Sequence, residues 1–355
     1  MVKLLWMVIL TGLVWTLACK KRTPAVPDPD PRVGTDDVRP SPEDGGAAPV
    51  PLPSPPDPLE SARPGPPEPG APPPAAPSSA RPFTGDPGEK GQFQVVRKAL
   101  SLTGPAGPLR ATLFSPKGYA GGKQHLVIVL HGFGVNHNFY DDYSSHLASQ
   151  GFIALGLDFS DAAKHEQNAL EVVAAIDWAF SPASGLAGTL HPRVATAGHS
   201  LGGKIAFYAA TLDQRIGTVI GWDPVDSGGP PCFIDKDQCN QWSVAPHSFD
   251  GDKGMMDQIR VRVLIFAAPV SMFNPEEHHA RRFWEGAAVG SLYVYFPGGS
   301  HMNWPGGRLE APITKRIHTA WLLHHLAGRT GLDPFLDGDV LAKDIAAGSI
   351  EVQRK

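Results

Sequence analysis

The stretch that decides the fold is AGHSLGG, at residues 197–203. It follows a short apolar run at residues 193–197, which predicts a buried strand, and precedes KIAFYAATL at residues 204–212, which predicts a helix. A Gly-x-Ser-x-Gly pattern between a strand and a helix is typical of a sharp turn that presents its serine as a nucleophile. Glycines are needed on both sides because the turn is too tight for side chains. Ser200 is therefore the candidate nucleophile, beside the positive end of a helix.

The segments around this turn alternate between predicted strands and helices. Continuous apolar runs predict buried strands at residues 125–130, 151–157, 193–197, 216–222, 261–267 and 291–296. Helical periodicity predicts helices at residues 139–150, 165–180, 204–212 and 313–326, and residues 92–98 and 109–114 look like antiparallel edge strands. This alternation predicts one α/β domain over residues 92–355, with a mostly parallel sheet covered by helices on both faces. Functional loops should gather at the carboxyl ends of its strands.

The first residues have the pattern of an export signal. Residues 1–18 carry an early lysine and then an apolar run that is too short for a comfortable membrane span. The Ala18–Cys19 junction resembles a bacterial lipoprotein signal, in which the cysteine becomes the lipidated first residue. An uncleaved anchor and a plain secretory signal are the alternatives. Each interpretation exports the protein, and the first anchors it in the bacterial cell envelope through lipid on Cys19.

Residues 19–91 are predicted to be a tether. Residues 23–82 alone hold 21 of the chain's 37 prolines and show no apolar periodicity, so this segment has no means of forming a core. Such a composition favours extended polyproline II and acts as a semi-stiff spacer.

The net charge of −4 and the lack of a basic stripe give no sign of a nucleic-acid partner. We expect a monomer, with the membrane as a partner only through the lipid anchor.

A serine nucleophile needs a base, and the base needs a carboxylate to orient it. Among the seven histidines after Ser200, His301 stands out because it follows the strand at residues 291–296 through a short loop, PGGS. The acid is less obvious. Asp223 lies directly at the end of the strand at residues 216–222 and is the first choice, while Asp226 and Glu276 remain alternatives.

The oxyanion hole needs two converging backbone N–H groups. Leu201, the residue after the nucleophile, should supply one. The second should come from HGFG at residues 131–134, which follows a buried strand, and Phe133 is the expected donor. His131 would then shape the loop through a hydrogen bond. This chemistry requires no cofactor, and the acidic residues between 235 and 252 do not have the spacing of a complete calcium loop.

Several segments together resemble the α/β-hydrolase superfamily, and within it the chlorophyllase and bacterial polyester-hydrolase (cutinase-like) branch. The matching segments are HGF at 131–133, HLASQGFI at 146–153, GHSLGG at 198–203, DPVD at 223–226 and SHM at 300–302. The resemblance implies the α/β-hydrolase fold and a triad of Ser200, Asp223 and His301, with the acid placed unusually early. The sequence departs from the pattern at Leu201, where chlorophyllases tend to carry arginine.

Cys232 and Cys239 are the only cysteines besides Cys19. In an exported protein two such cysteines predict a disulfide, which would shape a loop beyond Asp223.

Taken together, these features predict a serine esterase that acts on carboxylic esters through an acyl-enzyme. A lipase or acyltransferase using the same triad is the alternative among enzymes, and a tethered, inactive binding module is the alternative from another class.

Overall fold

The computed structural model describes residues 82–226, 255–269, 279–304 and 311–355. Several features expected from the sequence lie outside the described residues: the signal peptide, Cys19, the tether up to residue 81, the Cys232–Cys239 pair and Glu276.

The last part of the expected tether is already attached to the domain. The Phe83 amide donates to the Thr330 carbonyl at 2.8 Å, and the Gly91 amide donates to the Ser149 hydroxyl at 2.9 Å. The folded domain therefore begins before residue 92, through long-range contacts that a local pattern does not reveal.

In the described residues the core of the fold is a nine-stranded sheet in the order β1-β2-β4-β3-β5-β6-β7-β8-β9. Strands β3 to β8 are parallel, and the antiparallel pairs are β1–β2, β2–β4 and β8–β9. The strands are β1 Val95–Gly104, β2 Gly107–Pro116, β3 Leu126–Leu130, β4 Ile153–Leu157, β5 Val194–His199, β6 Ile216–Trp222, β7 Val263–Ala267, β8 Leu292–Tyr295 and β9 Glu351–Arg354.

Helices cover both faces of this sheet. They are α1 Asp141–Ser149, α2 His165–Phe180, α3 Leu201–Leu212, α4 His279–Glu285, α5 Ala311–Trp321, α6 Asp333–Leu336 and α7 Asp339–Ala346. Side chains from α2, α3 and α4 share one hydrophobic core with alternate strand residues such as Ile128. Side chains from α1 and α5 share a second core with the intervening residues such as Val129. Every residue of β3 is buried, as expected for a strand with a helical layer on each face.

The α/β-hydrolase fold expected from the sequence is confirmed by this mostly parallel sheet with its helices. The predicted helices at 139–150 and 313–326 are each composite: the first opens with a 3-10 turn, His137–Tyr140, and the second ends as a π-helix, Leu322–Leu326. Helices α6 and α7 and strand β9 were not predicted. These elements are short, and β9 has no apolar run of its own. In the described part of the chain, no helix has the length and apolar character needed to span a membrane.

The junction between β5 and α3 is packed backbone against backbone. A Cβ placed on Gly198 would stand 2.1 Å from the Gly202 carbonyl oxygen. A Cβ on Gly202 would stand 2.6 Å from the carbonyl oxygens of Leu130 and His131, at the end of the neighbouring strand. These distances are far below van der Waals contact, so the two glycines let the helix begin directly against the sheet.

We expect Gly198→Ala to lower the free energy of unfolding by roughly 3 kcal/mol or more, because the backbone must move to make room for the methyl group. Gly298→Ala is the matched control, since a Cβ there meets nothing within 4 Å and its backbone has no positive φ. Chemical denaturation of both variants measures the effect. Equal unfolding midpoints would contradict the close packing at this junction.

Candidate active site

Ser200 occupies a strained position between β5 and α3. Its backbone has φ 55° and ψ −118°, a conformation that residues with a side chain rarely adopt. The Ser200 amide donates to the Trp222 carbonyl at 3.1 Å, and the Ser200 carbonyl accepts from the Val225 amide at 3.1 Å. The turn is therefore held from both sides by the end of β6 and the residues that follow it.

Asp223 is the first residue after β6, and it also has a positive φ, of 45°. Its amide donates to the Phe266 carbonyl at 2.8 Å, which ties it to β7. Among the described residues other than glycine, only Ser200 and Asp223 have a positive φ. Because β5 and β6 are adjacent and pair at His199 and Trp222, these two strained positions lie side by side at one edge of the sheet.

His301 meets Asp223 within the protein interior. The His301 Nδ1 atom lies 2.6 Å from Asp223 Oδ2, and the Ala268 amide donates to the other carboxylate oxygen at 3.2 Å. Both side chains are buried. A carboxylate accepts here, so Nδ1 carries the proton and Nε2 is the basic nitrogen of the neutral ring. This is the tautomer that a serine triad requires of its base.

Asp226, the alternative acid, is engaged elsewhere. Its carboxylate lies 2.9 Å from the Lys204 ammonium group and 4.0 Å from the Arg282 guanidinium group. Burial lowers the pKa of Lys204, and the attraction of Asp226 opposes that shift. A buried ion pair is costly to break from one side, so Asp226 anchors the loop after β6 to helix α3. No local sequence pattern predicts this contact, because Lys204 belongs to an otherwise apolar helical segment.

The loop after β3 approaches the serine closely. A Cβ on Gly132 would lie 3.0 Å from His199 Nδ1 and 3.3 Å from the Ser200 Cβ. His131 is buried, with Nδ1 placed 2.8 Å from the Gly132 carbonyl and Nε2 accepting from the Phe159 amide at 3.2 Å. Burial lowers the pKa of His131, which favours the neutral ring that these two contacts need. His131 thus shapes the loop that carries the Phe133 amide.

Asp158, at the end of β4, holds the other end of this loop. Its Oδ1 accepts from the His137 amide at 2.9 Å and lies 2.7 Å from His137 Nδ1. His137 Nε2 in turn lies 2.8 Å from the Thr112 hydroxyl. Burial by itself would raise the pKa of Asp158, but the hydrogen bonds from His137 outweigh it and hold that pKa below its usual value. The loop is therefore fixed by charge-assisted hydrogen bonds at a strand end.

The Leu201 amide belongs to the first turn of α3, where backbone N–H groups have no acceptor within the helix. The positive end of the helix dipole adds to their attraction for an anion. The Leu201 amide at the start of α3 and the loop that carries Gly132 both lie next to Ser200. The assignment of the Leu201 and Phe133 amides to an oxyanion hole stays a prediction.

Large aromatic residues near the serine divide into two groups. Tyr140, Trp222 and Trp304 are almost completely buried, and Tyr140 stacks on Trp222 with ring centroids 6.0 Å apart. These three side chains form part of the core beneath the site. Phe133, in the loop after β3, and Phe139, in the 3-10 turn that ends this loop, are 38% and 47% exposed. Within the described residues, no group of three or more His, Cys, Asp or Glu side chains could hold a metal ion.

Comparison with known proteins adds a sequence relationship to this geometry. The chlorophyllase family model matches residues 87–256, a segment that includes Ser200 and Asp223 and ends before His301. Chlorophyllase-2 of Arabidopsis thaliana is 32% identical over 151 residues, which are 37% of this chain and 44% of that protein. The chain thus matches less than half the length of this relative. The sheet order gives this chain the α/β-hydrolase fold, and over residues 87–256 its sequence is similar to the chlorophyllase family.

Proposed function

We propose that this protein is a serine hydrolase that cleaves carboxylic esters through an acyl-enzyme intermediate. The observation that carries the proposal is the buried Asp223–His301 hydrogen bond beside a serine held at a strained turn. Strained backbone at a polar site indicates that the surrounding structure maintains a functional geometry. The similarity to chlorophyllases supports an ester as the substrate class.

In the proposed reaction, Ser200 Oγ attacks the ester carbonyl carbon while His301 Nε2 accepts the hydroxyl proton. Asp223 stabilises the resulting imidazolium through the hydrogen bond to Nδ1. The Leu201 and Phe133 amides hold the negative oxygen of the tetrahedral intermediate. His301 then returns the proton to the departing alcohol, and the acyl group remains on Ser200. Water, activated by His301, releases the carboxylic acid and restores the serine.

The substrate is proposed to carry an apolar group next to its ester. Support comes from Phe133 and Phe139, two large exposed aromatic side chains in the loop that approaches Ser200 at Gly132 and in the 3-10 turn that ends this loop. Apolar contact area of this kind favours hydrophobic ligands. Within this proposal a lipase differs from an esterase in chain-length preference, so p-nitrophenyl esters of increasing acyl length distinguish the two.

Ser200→Ala should abolish hydrolysis of p-nitrophenyl esters across this panel, because no other group in the proposed mechanism forms the acyl-enzyme. The folded state of the variant is checked by its unfolding midpoint. A fluorophosphonate probe should label the wild-type protein at Ser200 and leave the variant unlabelled. Hydrolysis by the folded variant near the wild-type rate would refute the proposed nucleophile.

Asp223→Asn should lower kcat by about 10⁴ with little change in KM, because an asparagine amide favours the wrong histidine tautomer. Glu276→Gln should stay within about tenfold of the wild-type kcat, which corresponds to roughly 1.4 kcal/mol of barrier. Steady-state kinetics on one ester measures both variants. An active Asp223→Asn together with an inactive Glu276→Gln would move the acid to the loop after β7.

We propose further that the domain is exported and anchored in the cell envelope through lipid on Cys19. The support is the sequence pattern of residues 1–22, an apolar run that ends at Ala18–Cys19 and is followed at once by KKR. The proline-rich segment would then separate the catalytic domain from the membrane.

Cys19→Ser should abolish incorporation of labelled fatty acid and move the protein from the membrane fraction to the soluble fraction of expressing cells. The catalytic domain should keep its esterase activity, because Cys19 is remote in sequence from every residue of the proposed triad. Absence of label from the wild-type protein would refute the lipid anchor.

A further inference from the structure

A buried hydrogen-bonded chain lies beneath the proposed active site. The Gly132 amide lies 3.3 Å from the Tyr140 hydroxyl oxygen, which lies 2.7 Å from His199 Nδ1. On the far side of the same ring, His199 Nε2 lies 2.7 Å from the His301 carbonyl oxygen. We propose that Tyr140 and His199 are positioning residues that hold the oxyanion loop, the nucleophile and the base in one fixed arrangement. This inference rests on the proposed esterase function.

The direction of every bond in this chain is determined by its last acceptor. The His301 carbonyl can only accept, so His199 Nε2 must carry the proton. In a neutral ring Nδ1 is then an acceptor, and Tyr140 must donate its hydroxyl proton to it. The Tyr140 oxygen accepts from the Gly132 amide, which can only donate. Each donor meets one acceptor, and the chain has a single consistent arrangement.

The surroundings keep both side chains in the states that this arrangement needs. Burial, aided by the nearby His301 ring, lowers the pKa of His199 well below its usual value, so the ring stays neutral. Burial raises the pKa of Tyr140, so the hydroxyl keeps its proton. The His199 and His301 ring centroids are 4.6 Å apart, which brings the positioning ring against the base itself.

The chain connects three catalytic elements that come from distant parts of the sequence. Gly132 immediately precedes Phe133, the proposed oxyanion donor, and His199 immediately precedes Ser200. His301 is the proposed base, and it is held through its backbone on one side and through Asp223 on the other. Displacements of about 1 Å at reacting groups are enough to cost about 10²-fold in rate. A contact that fixes all three elements should therefore act on kcat more than on substrate binding.

Steady-state kinetics of paired variants tests the hydrogen-bonded chain. Tyr140→Phe should lower kcat by about 10- to 100-fold with KM within about threefold, in line with a lost positioning contact. Glutamine places its amide nitrogen near the position of a histidine Nε2, whereas asparagine is too short to reach the His301 carbonyl. His199→Gln should therefore retain more of kcat than His199→Asn. Thr196→Val is the matched control, because it removes one buried hydrogen bond of β5, to the Ala206 carbonyl, without touching the chain.

The double variant separates a connected chain from two independent packing defects. In the His199→Gln background, Tyr140→Phe should cost less than it does alone, since its partner nitrogen is already gone. Strictly additive losses, or equal losses in the glutamine and asparagine variants, would overturn the proposal. A loss of kcat in Thr196→Val as large as in Tyr140→Phe would also overturn it, because a general structural effect would then be sufficient.

Nuclear magnetic resonance of the full-length protein labelled with ¹⁵N-histidine tests the same hydrogen-bonded chain without any substrate. His199, assigned by its absence in His199→Gln, should show the neutral tautomer with the proton on Nε2. Tyr140→Phe should shift the Nδ1–H resonance of His301, because the two residues are connected through the His199 ring. A proton on His199 Nδ1, or an unchanged His301 resonance, would overturn the proposal. The esterase function is judged separately, by the fluorophosphonate labelling of Ser200, so the two failures are distinguishable.

Discussion

The backbone hydrogen bonds between the Ser200 turn and the residues after β6 are the constraint on which the rest of the site depends. They hold the serine in a conformation that its own side chain disfavours, and they do so from a neighbouring strand that is itself buried on both faces. Because β6 continues directly into Asp223, the same backbone that strains the serine also places the carboxylate. This is possible because the carboxyl ends of neighbouring parallel strands lie at the same edge of the sheet.

The positions of the three proposed triad residues can largely be predicted from the sequence, because each depends on a local pattern. Ser200, Asp223 and His301 each stand directly at, or a few residues beyond, an apolar run that only a buried strand explains. A strand end is also the place where the fold is most rigid, so a residue's position along the chain predicts its position in space. The choice of Asp223 over Asp226 depended on the same reasoning, and the structure places His301 against Asp223.

The long-range contacts that support the site cannot be predicted from local sequence patterns. Lys204 and Asp226 are separated along the chain by β6, and no local pattern marks them as a pair. Tyr140 is buried beside Trp222 and His199, and no local pattern marks it as their partner. His199 is part of the motif that decides the fold, but its partners come from residues 140 and 301. Long-range pairing of buried polar groups requires the tertiary structure, since burial determines which of their atoms need partners.

The two outer strands of the described sheet have a consequence for the protein in a crowded environment. A sheet edge offers unpaired backbone groups to any other extended chain, and natural proteins protect such edges with charged side chains. Strand β1 presents Arg97 and Lys98 to solvent, and β9 presents Glu351 and Arg354. The short β9 covers β8, whose residues Leu292, Tyr293 and Val294 would otherwise form an apolar edge. The few residues near position 351 thus replace an apolar outer strand with a charged one, which disfavours edge-to-edge pairing with another extended chain.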